Sequence, residues 1–373
     1  MGRIKGICYG NDAFPSPYDE SNANSFQCTF GSDTSADYIA PLHGAYYQNS
    51  VKQWCHDQGM SGPQPCREDI GRMHSMGVEV IRLYDWDPRN SHHVFLDKCQ
   101  TLGLGVLVSV SNYNLKPGEG LPNMDKAIPA LIQSFSKDGD YHPAVQGIVI
   151  GNEFNRAEQI SVANVASFTN AWAAIEQQQF GGHRKVQIGH PVAFGLTNNE
   201  NDCWYVWRQL LPQIKALNSR LFLAPQTYNP AVDLFHDYRG ARKGYVDLTY
   251  DEFKLPIWFT ELGRDRTLTN HVRDVTDQLL GCINYSKQNP TKLIGCCMFS
   301  YVDKVWKQGT SEGSFGAWTH ARQGPITVTY TEEDFTHRDY IGPTKVKVPL
   351  GTLNIDVLEK TDLYEAVTKA YKT

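Results

Sequence analysis

The stretch "GIVIGNEFN" (147–155) decides how the chain is to be read. Three consecutive apolar residues, Ile148 to Ile150, run directly into Gly151, Asn152 and Glu153. A short apolar run bounded by glycine is the pattern of a strand buried on both faces, as in a parallel sheet covered by helices. Such a strand ending on a carboxylate points to chemistry only if a second carboxylate ends an equivalent strand and the fold brings the two together.

Working outward, seven further runs have the same character: "GICYG" (6–10), "VEVIRLYDW" (78–86), "GVLVSVSN" (105–112), "KVQIGHPV" (185–192), "RLFLAPQTY" (220–228), "PIWFTELG" (256–263) and "LIGCCMFSY" (293–301). With "VQGIVIGNE" (145–153) that makes eight. Amphipathic segments such as "SHHVFLDKCQTLG" and "SVANVASFTNAWAAIEQQQ" lie between them. Strands alternating with helices predict a (β/α)8 barrel, since no Gly-rich phosphate turn follows the first strand as an open nucleotide-binding sheet would require. Two stretches break the repeat: a polar insertion over 18–67, and 321–350, where "PITVTYTEEDF" and "TKVKVPLG" predict a small hairpin. The terminal "DVLEKTDLYEAVTKAYK" has helical spacing through Val357, Leu358, Tyr364 and Val367 and would close the barrel. With no internal repeat or linker, one catalytic domain over 1–373 is expected.

Composition bounds the partners. The 373 residues carry a net charge of −5 and no basic run, which argues against nucleic acid and anionic membranes. No run of 18 apolar residues indicates a membrane span, and the N-terminus lacks the apolar core of a signal peptide. The nine cysteines declare no disulfide framework; Cys55 and Cys66, ten polar residues apart, are compatible with a surface bridge or with free thiols, and Cys296 and Cys297 read as buried small residues.

In such a barrel the active site lies at the C-terminal ends of the strands. Glu153 ends the fourth strand and Glu261, in "IWFTELG", ends the seventh. Two carboxylates across the mouth could flank a bond, the arrangement that glycoside hydrolysis requires. "GTSEG" (309–313) matches the G-x-S-x-G nucleophile elbow, but the Gly/Pro-rich segment after it is not a helix. The histidines show no metal-ligand spacing, and neither metal nor cofactor is expected.

"GICYGNDAFPSP", "IRLYDWDP", "IVIGNEF", "PIWFTELG" and "FSYVDKVWKQGTSEGSFGAW" together resemble, in order, the signatures of glycoside hydrolase family 17. That family comprises endo-β-1,3-glucanases and related glucanosyltransferases in a barrel clan with glutamates ending strands four and seven. Family 72, the fungal cell-wall glucanosyltransferases, shares the two glutamates but fits strand eight less well. The chain departs from the family-17 pattern in the 18–67 insertion, at Leu262 and in 321–350.

The resemblance implies Glu153 as general acid/base, Glu261 as nucleophile, and Asn152 on the sugar 2-hydroxyl and Glu261. It also implies Asp303, Lys307 and Glu312 as charged groups beside the acid/base. Tyr9, Tyr84 and Tyr228 end strands one, two and six, as sugar platforms or as rim packing. Asn112 ends strand three as a sugar ligand or a turn residue, and Trp306 is a sugar platform or loop anchor. Arg82 is expected to support the site from inside the barrel. The expected activity is retaining hydrolysis of β-1,3-glucan by a monomer, secreted or in a cell wall by resemblance. Transglycosylation with the same glutamates is the alternative, and a non-catalytic glucan-binding barrel a third reading.

Overall fold

The computed structural model describes residues 4–9, 69–84, 86, 88, 92–118, 120–157, 159–181, 186–194, 203–303, 313–320, 327–330, 334–337, 344–347, 351–354 and 358–373. Eight strands close into a barrel: β1 (Lys5–Cys8), β2 (Val80–Arg82), β3 (Gly105–Val110), β4 (Val145–Ile150), β5 (Gln187–Ala193), β6 (Leu221–Thr227), β7 (Ile257–Leu262) and β8 (Leu293–Met298). Each pairs in parallel with its sequence neighbour, and β8 pairs with β1 through Lys5↔Cys296 and Ile7↔Met298. This is the (β/α)8, or TIM, barrel that the alternating pattern predicts.

Every residue of β3, β6 and β7 is buried, because both faces of these strands are covered. The outward face packs on helices: α1 (Asp69–Ser75), α2 (His93–Thr101), α3 (Met124–Ser134), α4 (Val162–Phe180), α5 (Cys203–Leu210), α6 (Ala231–Phe235), α7 (Tyr245–Phe253), α8 (His271–Gln288) and α9 (Asp362–Lys372). Local signals set the ends of α4: a Ser161/Asn164 capping box starts it, and Gly181 in the left-handed region stops it.

The inward face forms a second cluster of Cys8, Val80, Leu107, Val149, Phe222, Ala224, Trp258 and Cys297. Two large rings fill the lower barrel because glycines face them. A Cβ on Gly189 would lie 2.2 Å from the Phe222 ring, and one on Gly295 2.2 Å from Trp258. The barrel is therefore a packed core, open for chemistry only at its mouth.

The end of the chain differs from the helix expected to start near Val357. Leu358–Lys360 is a strand antiparallel to Trp318–His320, and α9 begins only after Thr361, whose side chain accepts from the Leu363 N–H. The Tyr371 hydroxyl then donates to the Gly6 carbonyl at 2.5 Å, holding α9 against β1. The hairpin expected over 321–350 is present as two antiparallel ladders, Asp334–His337 with Thr344–Lys347 and Thr327–Tyr330 with Gly351–Asn354. The 18–67 insertion, with Cys55 and Cys66, lies outside the described residues.

Candidate active site

Strict alternation along β4 would separate Asn152 from Glu153, and the strand ends before that conflict arises. After Ile150 the chain turns through Gly151 at φ +79°, where a Cβ would stand 2.8 Å from Leu115 and 3.0 Å from the Asn112 side chain. Asn112 brackets the turn: its Oδ1 accepts from the Asn152 N–H at 2.8 Å and its Nδ2 donates to the Asn152 carbonyl at 2.7 Å. Its amide thus braces the turn through the Asn152 backbone, as the turn reading expects. Glu153 follows at φ +42°, a conformation L-residues rarely hold and one common at functional sites.

Glu261 faces inward because β7 carries an extra residue. Against β6 the register runs Leu223↔Ile257 and then Gln226↔Glu261; against β8 it runs Cys296↔Phe259 and then Met298↔Leu262. The first slip puts one surplus residue of β7 between Ile257 and Glu261, and the second puts one between Phe259 and Leu262. Trp258 points into the barrel and Ile257 and Phe259 outward, so simple alternation would turn Glu261 out; the bulge reverses it, and Leu262 packs outside.

Four side chains then meet the Glu261 carboxylate. Oε1 accepts from Arg82 Nη1 at 2.8 Å, the Tyr84 hydroxyl at 2.7 Å and Gln226 Nε2 at 2.9 Å, while Oε2 accepts from the Tyr228 hydroxyl at 2.7 Å. Arg82 is fully buried, and its Nη2 donates to Asn152 Oδ1 at 2.6 Å. Burial alone would favour the neutral guanidine, but the Glu261 carboxylate paired to it at 2.8 Å holds the cation. Burial pushes both tyrosine hydroxyls well above their ordinary range, so they remain donors; for Tyr228, Glu261 and Glu153 add to the effect. The two glutamates thus act on one phenol. Phe299 and Phe315 pack edge-on around Tyr228, with Tyr84 also against Phe299.

The remaining candidates divide. Tyr9 is not at the mouth: it shares the outward face of β1 with Ile7, is wholly buried, and donates to Asp69 at 2.9 Å beside Tyr301. Asp303 is buried against Arg266 and the Gly316 N–H (2.7 Å); burial raises its carboxyl pKa and these partners pull it back only in part. It braces the segment after β8. Trp306, Lys307 and Glu312 lie outside the described residues. The sequence reading missed Gln226, Phe299 and Phe315; Gln226 stands two residues before Tyr228, so period-two alternation on β6 was a signal for it. Among the described residues no cluster of His, Cys, Asp or Glu is arranged to hold a metal ion.

No protein-family model matches the chain. Among curated proteins it is similar to 1,3-beta-glucanosyltransferase GAS2 of Saccharomyces cerevisiae, 21% identical over 232 residues, or 61% of this chain and 39% of that protein. It is also similar to 1,3-beta-glucanosyltransferase PGA5 of Candida albicans, 24% identical over 217 residues, or 55% of this chain and 32% of that protein. The matches thus span about two fifths of these relatives or less. Solved structures with a similar fold include Saccharomyces cerevisiae Gas2p in complex with laminaripentaose, with a TM-score of 0.53 and 14% identity over 100% of this chain and 65% of that one. ScGas2 in complex with compound 11 has a TM-score of 0.57 at 14% identity, over 100% of this chain and 65% of that one. The resemblance to family 17 is not supported by these comparisons, whose relatives are named as glucanosyltransferases. Its coarser content, an α/β barrel with glutamates at the ends of β4 and β7, is what the structure has.

Proposed function

We propose that this chain is a catalytic barrel that breaks and remakes β-1,3-glucosidic bonds, passing the glycosyl group to another glucan. The observation that carries transfer over hydrolysis is that both curated relatives bear the name 1,3-beta-glucanosyltransferase. The site supports the double displacement on which either outcome depends. A Glu261 oxygen bonds to the anomeric carbon as the glycosidic C–O bond breaks, and the Glu153 carboxyl proton passes to the departing oxygen. In the second half an acceptor hydroxyl gives its proton to Glu153 while its oxygen displaces Glu261 from the anomeric carbon. Water in place of the acceptor gives hydrolysis.

Arg82 offsets the charge of the resting nucleophile, Tyr84 and Tyr228 orient it, and Asn152 meets the sugar beside it. No step needs a metal or cofactor. The substrate class is β-1,3-glucan, the setting a secreted or cell-wall one, and the chain a single catalytic unit acting as a monomer. Incubation with a pure laminari-oligosaccharide, followed by product sizing, tests the reading. Products longer than the substrate are expected beside shorter ones; shorter products alone would return the assignment to hydrolysis.

A further inference from the structure

Gln226 is 1% exposed and lies on the inward face of β6 with Ala224 and Tyr228. Its Nε2 group carries two hydrogens and meets two oxygens, Asn152 Oδ1 at 2.6 Å and Glu261 Oε1 at 2.9 Å. The orientation of this amide is forced: turned the other way, it would set an oxygen against two acceptors. Asn152 Oδ1 is identified as the oxygen in turn, because Arg82 Nη2 also donates to it at 2.6 Å. With both donors on Oδ1, the Asn152 amino group must face away from them. On Glu261 the two oxygens become unequal. Three donors fill Oε1, which has room for about two lone-pair bonds, and among the described residues Oε2 has Tyr228 alone.

We propose that Gln226 is a positioning residue for both halves of the site. Its single amino group turns the Asn152 amino group toward the sugar and completes the cradle on Glu261 Oε1, leaving Oε2 as the oxygen that attacks the anomeric carbon. The inference rests on the reading of Glu261 as nucleophile, and nothing in the local sequence of β4 or β7 would indicate it. It also says why the position is an amide: a residue able only to accept would repel both partners.

The test uses the full chain and an aryl β-laminaribioside, whose leaving group needs little protonation. Three quantities are followed: glycosyl-enzyme formation by intact mass, the pH profile of kcat/KM, and thermal unfolding. Gln226→Glu keeps the side-chain shape, removes the donors and sets a second carboxylate beside Glu261. It is expected to fold, to form the glycosyl-enzyme about 10²-fold more slowly, and to move the acid limb of kcat/KM upward by about one pH unit or more, as two carboxylates sharing a site do. Gln226→Met combined with Asn152→Ala is expected to lose less than the product of the single losses, because Gln226 acts partly through Asn152.

A Gln226→Glu enzyme that forms the intermediate at the wild-type rate overturns the proposal. So does one that is slow with an unmoved acid limb, together with single losses that multiply. If Gln226→Met does not fold, the pH profile of Gln226→Glu decides alone. A wild type that forms no glycosyl-enzyme overturns the reading of Glu261 and this inference with it, whereas a wild type that forms it beside an unaffected variant overturns the inference only.

Discussion

Two buried arginine–glutamate pairs sit at opposite ends of the barrel, and they use the same parts differently. At the N-terminal end, Arg220 grips both oxygens of Glu176 on α4, and its Nε and Nη2 also donate to the Val186 carbonyl at 3.0 and 2.8 Å. The Tyr141 hydroxyl adds a bond to Glu176 at 2.5 Å and is itself held by the Trp172 indole at 3.2 Å. That set closes on itself. At the mouth, Arg82 gives Nη1 to Glu261 and Nη2 to Asn152, so among the described residues three donors crowd one carboxylate oxygen while the second meets one phenol. Burial, charge and a tyrosine do not separate the structural pair from the one proposed to act in the reaction. The sharing of donors does: among the described residues, three meet one oxygen of Glu261 and one meets the other.

The strongest way to break this contrast is to remove a carboxylate. Glu261→Gly should lower kcat/KM by at least about 10⁴-fold, as loss of a covalent nucleophile does. Azide should then attack an activated donor directly and give the α-glycosyl azide. Glu153→Ala leaves the nucleophile, so the same donor should give the β-azide with net retention. Proton NMR of the products reads the anomer, and reversed products would reverse the two roles. Glu176→Gln should leave the chemistry of surviving folded protein intact.

Removing the arginines comes next. Arg82→Met should cost about 10²- to 10³-fold in kcat/KM, the scale of losing one preorganised charge in a catalytic site. Arg220→Met strands Glu176 in the interior and should lower unfolding free energy by about 3–5 kcal/mol, with kcat/KM within about threefold of wild type well below the melting temperature. Urea unfolding and initial rates on the same preparations measure both. An Arg220→Met enzyme that keeps its stability but loses its activity would erase the distinction.

The tyrosines carry the contrast to a smaller scale. Tyr84→Phe and Tyr228→Phe each delete a hydrogen bond to a carboxylate, about 1.5–3 kcal/mol, or roughly 10- to 150-fold if it acts in the reaction. Tyr141→Phe should show a loss of this size in stability and none in rate.

Much of the fold was legible because parallel strands covered on both sides leave continuous apolar runs, and because each barrel strand recurs after a helical segment. The ends of β4 and β7 were legible for the same reason: a carboxylate closing an apolar run is conspicuous. The inward turn of Glu261 was not, because it depends on the surplus residue before it, and a bulge leaves no period in the sequence. Tyr9 was readable and misplaced; alternation from Ile7 assigns it to the helix side. Gln226 was readable from Tyr228 by the same rule. The Arg220–Glu176 pair spans 44 residues with no local pattern, so only the closed barrel brings it together.

The last expected effect is the smallest and belongs to the structural side of the molecule. His190, on the outward face of β5, meets the Thr169 hydroxyl of α4 at 2.9 Å. That hydroxyl donates to the Val165 carbonyl at 2.7 Å, so it can accept from His190 Nε2–H, which fixes the neutral tautomer. Burial pushes the imidazole pKa down from 6.5 to about 3. The sign follows. Below about pH 6.5 the unfolded chain takes up a proton that the folded chain refuses, so stability falls with pH at up to about 1.4 kcal/mol per unit until the folded group titrates near 3. His190→Gln keeps an N–H and cannot titrate. Between pH 7 and pH 4.5 the wild type should therefore lose roughly 2–3 kcal/mol more than the variant in urea unfolding. The acid limb of kcat/KM should coincide in the two proteins, because that limb belongs to the carboxylates at the mouth. A variant that moved the limb would mean that the barrel wall and the mouth titrate as one system, and the separation between the two buried pairs would fail with it.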